Sequence, residues 1–417
     1  MLDKERIKAL DELWKYSIKN FKIYRDIAYE NSIYNINCVE DWDKITFLDK
    51  DKYKKYKNVI FKELKNLKGF VKSTQTGGSS SSPTDFPLYP VDGKYIKKGL
   101  YKLRSDAGLN YINSNYIHVW GHSHLINRYG YKAIFIRLKD SLKRLIKNEI
   151  QICGYNPTKH LDKFINAIKS RKYKWIIGYT SAIYYLARHI NEKKINLKGY
   201  IDYVVLTSET ITPYAIEMIE DVFGCIVIKE YGSAELGAVA YSSMKSKDYF
   251  FDTENYHIEK IYFEKSNNDH SKLLFTTLNR VFPLIKYCPD DSFVGLLIKN
   301  NNIICKDVVG RHLDYIFYFT LLDNKLSGQY TEIFIVHCLK TIKSISQTTC
   351  FVNKSRVLQT IRIVYSGTEE SIVLCNKIYE LIEKEVLNFS RNHLSIEIES
   401  EPLNTIAGKS INYVILK

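Results

Sequence analysis

Apolar residues recur at helical spacing near the start of the chain, at Ile7, Leu10, Leu13 and Trp14, with charged residues between them. Tyr53 to Leu67 continues the pattern, so residues 1 to about 70 are expected to be helical. The texture then changes, and Gly69 to Thr74 reads as a short strand. From 95 to 230 two periods alternate. Tyr131–Ile136, Trp175–Gly178, Tyr203–Leu206 and Cys225–Ile228 are apolar, β-rich runs. Between them lie helical patterns. Leu161 to Ile168 is one; a second carries Ile183, Leu186, Ala187 and Ile190, with Ser181 placed to cap it. A third starts at Thr212-Pro213, a cap followed by proline, and ends at Gly224.

Strands alternating with helices predict an α/β protein, with parallel-rich sheets covered by helices in a large N-terminal part. After about 315 the pattern shifts to short strands around one long helical run, Glu369 to Leu387. Ile361–Tyr365 reads as a strand and Leu394 to Ile398 alternates, which together predict a small α+β C-terminal domain. Ligands of parallel sheets sit at the C-terminal ends of the strands, so the loops there are the places to look for chemistry.

Composition changes this picture little. With 417 residues, 45% of them hydrophobic, the chain has material for more than one core. The net charge is +15, but the basic residues are scattered among Tyr, Ile and Asn, so no nucleic-acid partner is expected. The first ten residues are charged, no run of eighteen apolar residues occurs, and none of the eight cysteines forms a C-x-x-C pair. A cytoplasmic protein without a membrane span, disulfides or structural zinc is expected.

Four segments carry candidate chemistry. Thr76-Gly77-Gly78-Ser79-Ser80-Ser81-Ser82-Pro83 can turn backbone N–H groups and hydroxyls toward a phosphate, although the same composition makes a flexible linker. It lacks the Gly-Lys-Ser/Thr of a Walker loop. Glu230 to Glu235, directly after the strand Cys225–Ile228, offers Tyr231 for stacking on a base and Glu235 for a divalent cation. Pro283 to Asp291, followed by Gly310-Arg311-His312-Leu313-Asp314, offers an aspartate for ribose hydroxyls and an arginine for an anion. Gly408-Lys409 offers a cation for a phosphoryl oxygen.

In this order the segments resemble the adenylate-forming enzymes: acyl-CoA synthetases, peptide-synthetase adenylation domains and luciferases. The branch most similar is the phenylacetate–coenzyme A ligase type and its relatives from capsular polysaccharide clusters. Thr76–Pro83 resembles its phosphate loop, Thr207-Ser208-Glu209 its adenine segment, and Tyr231–Glu235 its Y-G-x-x-E. Lys286–Asp291 resembles R-Y-x-x-G-D, Gly310–Asp314 resembles G-R-x-x-D, and Gly408-Lys409 the closing G-K. Gly178-Tyr179-Thr180-Ser181-Ala182 resembles G-Y-P-S-A, and Trp120-Gly121-His122 the substrate-side segment. Three positions depart: Ser81 replaces the last loop glycine, Lys286 an arginine, and Asp290 the glycine before Asp291. Ser242 and Ser243 stand where some members carry zinc-binding cysteines.

The resemblance implies an N-terminal AMP-binding domain over 1–313 and a mobile C-terminal domain over 314–417, with the hinge at Asp314. It implies ATP, Mg²⁺ and coenzyme A as reactants or cofactors. Thr76, Gly77, Gly78, Ser79, Ser80 and Ser81 would hold phosphates, and Glu235 the magnesium. Ser208, Glu209, Tyr231, Gly232 and Ser233 would frame the adenine, Asp291 the ribose, with Arg311 nearby. Lys409 would bridge the carboxylate and the α-phosphate, and Trp120, His122 and Tyr179 would line the acid pocket. The reaction implied is acyl-adenylate formation followed by transfer to coenzyme A. Transfer to an amine or a sugar is the alternative acceptor chemistry. A non-catalytic nucleotide-binding protein is the alternative that the loop departures raise.

Overall fold

The computed structural model describes residues 4–75, 84–109, 115–120, 149–154, 157–209, 211, 213–261, 270–299, 302–311, 316–327, 330–331, 345–401 and 413–416, with 335, 338, 339, 342 and 403. The chain is an α/β protein with a large mixed sheet and a small C-terminal mixed sheet. It divides into two compact units, residues 1–110 with 229–311 and residues 111–228 with 312–417. Among the described residues no helix is long and apolar enough to cross a membrane.

In the first unit the helical N-terminal pattern resolves into separate helices. Lys4–Asn20 buries Leu10, Trp14 and Ser17 at spacings of four and three, one stripe of a 3.6-residue helix. Lys22–Asn31 buries Ile23, Tyr24, Ile27 and Ala28, and Lys50–Lys68 buries Tyr53, Ile60 and Leu64. Asp49 starts the last of these: its carboxylate accepts from the Lys52 N–H at 2.6 Å, satisfying a donor the helix itself leaves unpaired. These helices share an aromatic core with Phe86, Phe275, Phe282, Tyr287 and Phe293. Tyr53 stacks on Phe86 with ring centroids 4.1 Å apart, and the buried Tyr24 hydroxyl donates to the Pro283 carbonyl at 2.5 Å.

The expected strand before the glycine–serine run lies slightly later than its sequence suggests, at Ser73–Gln75. It pairs antiparallel with Asp85–Pro87, Gln75 opposite Asp85, so a two-stranded stem brackets residues 76–83. A four-stranded antiparallel sheet follows the order Tyr256–Ile261, His270–Thr277, Asp291–Val294, Asp307–Arg311. The strands Leu297–Lys299, Asn302–Cys305, Tyr249–Phe251 and Gly237–Tyr241 and the strand ending at Ser233 form this unit's part of the large sheet, all antiparallel.

The second unit supplies the parallel strands, in the order Glu149–Cys153, Asn115–Trp120, Tyr173–Tyr179, Tyr203–Thr207. One face of them buries Ile117, Val119, Ile152, Ile176, Val204 and Leu206 against helices Leu161–Lys169, Thr180–Glu192 and Pro213–Phe223. The third helix begins at its proline and stops at Gly224, whose φ of +62° is left-handed and disfavours a side chain. The C-terminal sheet orders Ser395–Glu399, Leu358–Tyr365, Ile345–Val352, Tyr413–Ile415, antiparallel at its centre and parallel on both flanks. Helix Ser371–Glu385 buries Leu374, Ile378 and Ile382, one residue per turn. The run Tyr131–Ile136 lies outside the described residues.

Candidate active site

In the second unit three neighbouring parallel strands deliver candidate residues to one edge. Trp120, Tyr179 and Thr207 are the C-terminal residues of their strands, and Tyr179 lies opposite Thr207 in register. Trp120 lies against Tyr179, ring centroids 4.3 Å apart at 36°. Gly178 is required by sterics: a Cβ there would fall 2.2 Å from the Val119 carbonyl oxygen. After Thr207 the chain turns sharply, with Ser208 at φ +69°.

The Glu209 carboxylate then accepts from the Ser181 N–H at 2.8 Å and the Ser181 hydroxyl at 3.1 Å. This corrects the reading of Ser181 as the helix cap. The cap residue is Tyr179, Ser181 lies in the first turn, and the anion that satisfies that turn comes from another strand's loop. Glu209 thus ties the T-S-E segment to the G-Y-T-S-A segment.

In the first unit the Y-G-x-x-E segment is a hairpin, where its sequence suggested a loop following a strand. The strand runs Ile226–Ser233 and includes Tyr231, Gly232 and Ser233; Ala234 to Leu236 form the turn, and Gly237–Tyr241 returns. A register shift falls between Tyr231 and Gly232, and a Cβ on Gly232 would lie 2.3 Å from the Gly237 carbonyl oxygen, so only glycine fits. Ser233 braces the turn by accepting from the Leu236 N–H at 3.2 Å. Arg280 donates to the carbonyls of Glu235 and Leu236.

This hairpin brings two acidic residues to phenol partners. The Tyr231 hydroxyl donates to Asp291 Oδ2 at 2.7 Å, and the Tyr287 hydroxyl donates to Glu235 Oε1 at 2.9 Å. Burial, with the Asp291 carboxylate beside it, pushes the Tyr231 phenol well above its ordinary range, so it stays a donor. Glu235 is itself buried, and its Oε2 has no hydrogen-bond partner among the described residues. Asp291 opens its strand directly opposite the backbone of Arg311 on the next one.

The departures from the resembled motifs have local explanations. Asp290 holds φ +66°, the left-handed region that a glycine enters freely and that aspartate, like asparagine, tolerates better than most residues with side chains. Its carboxylate pairs with the buried Lys272 at 2.9 Å. Lys286, also at positive φ, turns its ammonium to Glu259 at 3.4 Å and over the Trp42 ring at 5.4 Å. Ser242 accepts from the Lys229 N–H at 2.7 Å and Ser243 from Ser246 N–H at 2.9 Å, so both hydroxyls serve the backbone. Among the described residues no group of three or more His, Cys, Asp or Glu could hold a metal ion.

Thr76, Gly77, Gly78, Ser79, Ser80, Ser81, His122, Asp314 and Lys409 lie outside the described residues. One pair that sequence reasoning missed stands beside Trp120: the His118 imidazole donates from Nδ1 to Glu149 Oε1 at 2.8 Å. The signal available was the i, i+2, i+4 row Tyr116, His118, Trp120 on one strand face.

A 2-hydroxyisobutyryl-CoA ligase, solved in the postadenylation state with R3-HIB-AMP, covers 100% of this chain and 91% of its own at a TM-score of 0.74 and 13% identity. The chain has the adenylate-forming fold. The anthranilate CoA ligase AuaEII, in complex with anthranoyl-AMP, shares this fold over 82% of the chain and 66% of its own length, with TM-score 0.55 and 11% identity. Protein CapK of Staphylococcus aureus is 22% identical over 314 residues, 73% of this chain and 67% of that protein. No protein-family model matches the chain. Within the adenylate-forming fold, Glu209 and Ser181 of one unit and Tyr231, Glu235 and Asp291 of the other are tied down by the hydrogen bonds above.

Proposed function

We propose that the chain uses ATP to convert a carboxylic acid into an acyl-adenylate and then transfers the acyl group to coenzyme A. The observation carrying this is the whole-chain likeness to a ligase solved with an acyl-AMP, together with solved neighbours described with ATP and with coenzyme A. In this reading the protein contributes positioning and charge neutralisation to an in-line attack of the carboxylate on the α-phosphorus. Tyr231 and Asp291 hold the nucleoside, with Ser208, Glu209, Gly232, Ser233 and Arg311. Thr76 to Ser81 take the departing phosphates. Trp120, His122 and Tyr179 line the acid pocket.

Mg²⁺ takes one or two carboxylates and completes its shell with water and phosphate oxygens. Glu235 fits that demand, with one oxygen fixed by Tyr287 and the other unpartnered. Lys409 serves the carboxylate and α-phosphate oxygens, and Asp314 is the hinge of a C-terminal domain over 314–417, following a nucleotide-binding domain over 1–313. Bound, the ion neutralises phosphate charge.

The likeness to Protein CapK favours a second acceptor chemistry, acylation of an amine or a sugar in the capsule-cluster branch. Carboxylate-dependent exchange of pyrophosphate into ATP across a panel of acids tests the first half-reaction. Mass spectrometry of products formed with coenzyme A, amines or sugars decides the acceptor. Absence of exchange with every acid would remove the proposal.

A further inference from the structure

The strand Asn115–Trp120 alternates across its sheet. Ile117 and Val119 are fully buried on the helix-covered face, whereas Tyr116, His118 and Trp120 share the other face and are half-buried. On that face Glu149 spends both carboxylate oxygens on this strand. Tyr116 donates its hydroxyl to Oε2 at 2.7 Å, and His118 Nδ1 meets Oε1 at 2.8 Å.

A carboxylate only accepts, so the bond fixes the proton on Nδ1 and leaves Nε2 of the neutral imidazole as an acceptor. The Glu149 side chain is 7% exposed and that of His118 26%, so the orienting group is buried and the oriented one is reachable. The imidazole lies 5.1 Å from the Trp120 ring and 6.2 Å from that of Tyr116, within an aromatic row that continues through Trp120 to Tyr179. The buried Glu149 charge directly behind the ring disfavours a second anion and favours a donor. An aromatic wall beside a single acceptor of fixed tautomer suits a flat body that carries an O–H.

On the acid-activating reading above, we propose that His118 is a specificity residue: it accepts a hydrogen bond from a hydroxyl on a planar, aromatic carboxylic acid whose ring lies against Trp120. Glu149 is the positioning residue that holds the imidazole in the accepting tautomer. An acid lacking the hydroxyl leaves Nε2 covered and unpaired, which a site built around a hydrogen bond penalises.

The test is pyrophosphate exchange with matched acids, benzoate against 3- and 4-hydroxybenzoate and cinnamate against 4-hydroxycinnamate, on the full chain and on His118→Phe and Glu149→Gln. A hydroxylated member is expected to be favoured by about tenfold in kcat/KM. His118→Phe should bring the ratio near one, and Glu149→Gln should lower it part of the way, with the KM for ATP unmoved as the sign of an intact fold. Equal kcat/KM within every pair, or a preference that survives His118→Phe, overturns the inference; if that variant fails to fold, an undiminished preference in Glu149→Gln does so. Saturation-transfer NMR of the same acids without ATP separates the two claims. Hydroxyl-dependent binding that His118 controls, without exchange, removes the proposed reaction and keeps the pocket. Exchange without hydroxyl preference does the reverse, and absence of both removes both.

Discussion

The Tyr231 hydroxyl reaches Asp291 Oδ2 at 2.7 Å across 60 residues of sequence, joining the two segments assigned to the nucleoside. The phenol is buried and the carboxylate half-buried, and the bond fixes which way the Asp291 carboxylate faces. Tyr231→Phe keeps the ring and removes the donor. The expected result is a KM for ATP raised about tenfold with kcat little changed, and a stability loss of about 1–2 kcal/mol from the lost charge-assisted hydrogen bond. Pyrophosphate exchange and urea denaturation measure the two.

Lys272 and Asp290 form a compensated departure. Lys272→Met leaves Asp290 at positive φ without its partner and is expected to cost roughly 1–2 kcal/mol, because only the lysine end of the pair is buried. Asp290→Gly relieves the backbone but takes this carboxylate from the buried lysine. The double variant should therefore be closer to wild type than either single one, in denaturant midpoint and in KM for ATP. Strict additivity of the two changes would show that the pair does not act as a unit.

Gly232→Ala places a methyl against the Gly237 carbonyl, where backbone must move. The expected penalty is about 2–4 kcal/mol with loss of exchange activity, read by thermal unfolding and assay. An alanine variant of native stability would refute the close approach of the two strands.

His257 gives a signed pH dependence. Burial, reinforced by the Arg6 and Lys286 charges, lowers it to about 4. Its other neighbours are the Trp42 ring and Glu259, whose carboxylate lies 3.7 Å away and is itself held above its usual range by burial. A depressed folded value means that the unfolded chain binds the proton first. The stabilising contribution is complete above pH 6.5 and declines as the pH falls toward 4, by up to about 3 kcal/mol. Protonation of Glu259 acts in the opposite sense. His257→Gln should flatten the slope of stability between those limits, and NMR titration of the wild type should find the imidazole neutral at pH 5.

Lys409→Ala tests the assignment near the C-terminus. It is expected to lose pyrophosphate exchange by a factor on the order of a hundred or more while ATP binding, measured by calorimetry, persists. Exchange at the wild-type rate would remove Lys409 from the chemistry.

The alternation of helical and strand periods was readable because each depends on which residues sit three, four or two positions apart. The helix Leu161–Lys169 and the strands Tyr173–Tyr179 and Tyr203–Thr207 lie where their apolar runs suggest, and the helix at Pro213 begins at its proline. The motif glycines were visible too, though their reasons were not: Gly178 and Gly232 are each required by a carbonyl on a neighbouring strand. The sequence also misled locally. The apolar run puts the end of the strand at Ile228, but the ladder with Gly237–Tyr241 extends it through Ser233.

Sequence by itself therefore determined the kinds of element and their order, because local periodicity and backbone preference are properties of adjacent residues. Tertiary structure alone decided which side chains meet. Glu209 reaches Ser181 across 28 residues, Lys272 reaches Asp290 across 18, and Glu149 orients His118 across 31. Those pairings follow from strand register and burial, which make a carboxylate seek a donor wherever the fold brings one within reach, and no spacing along the chain encodes that.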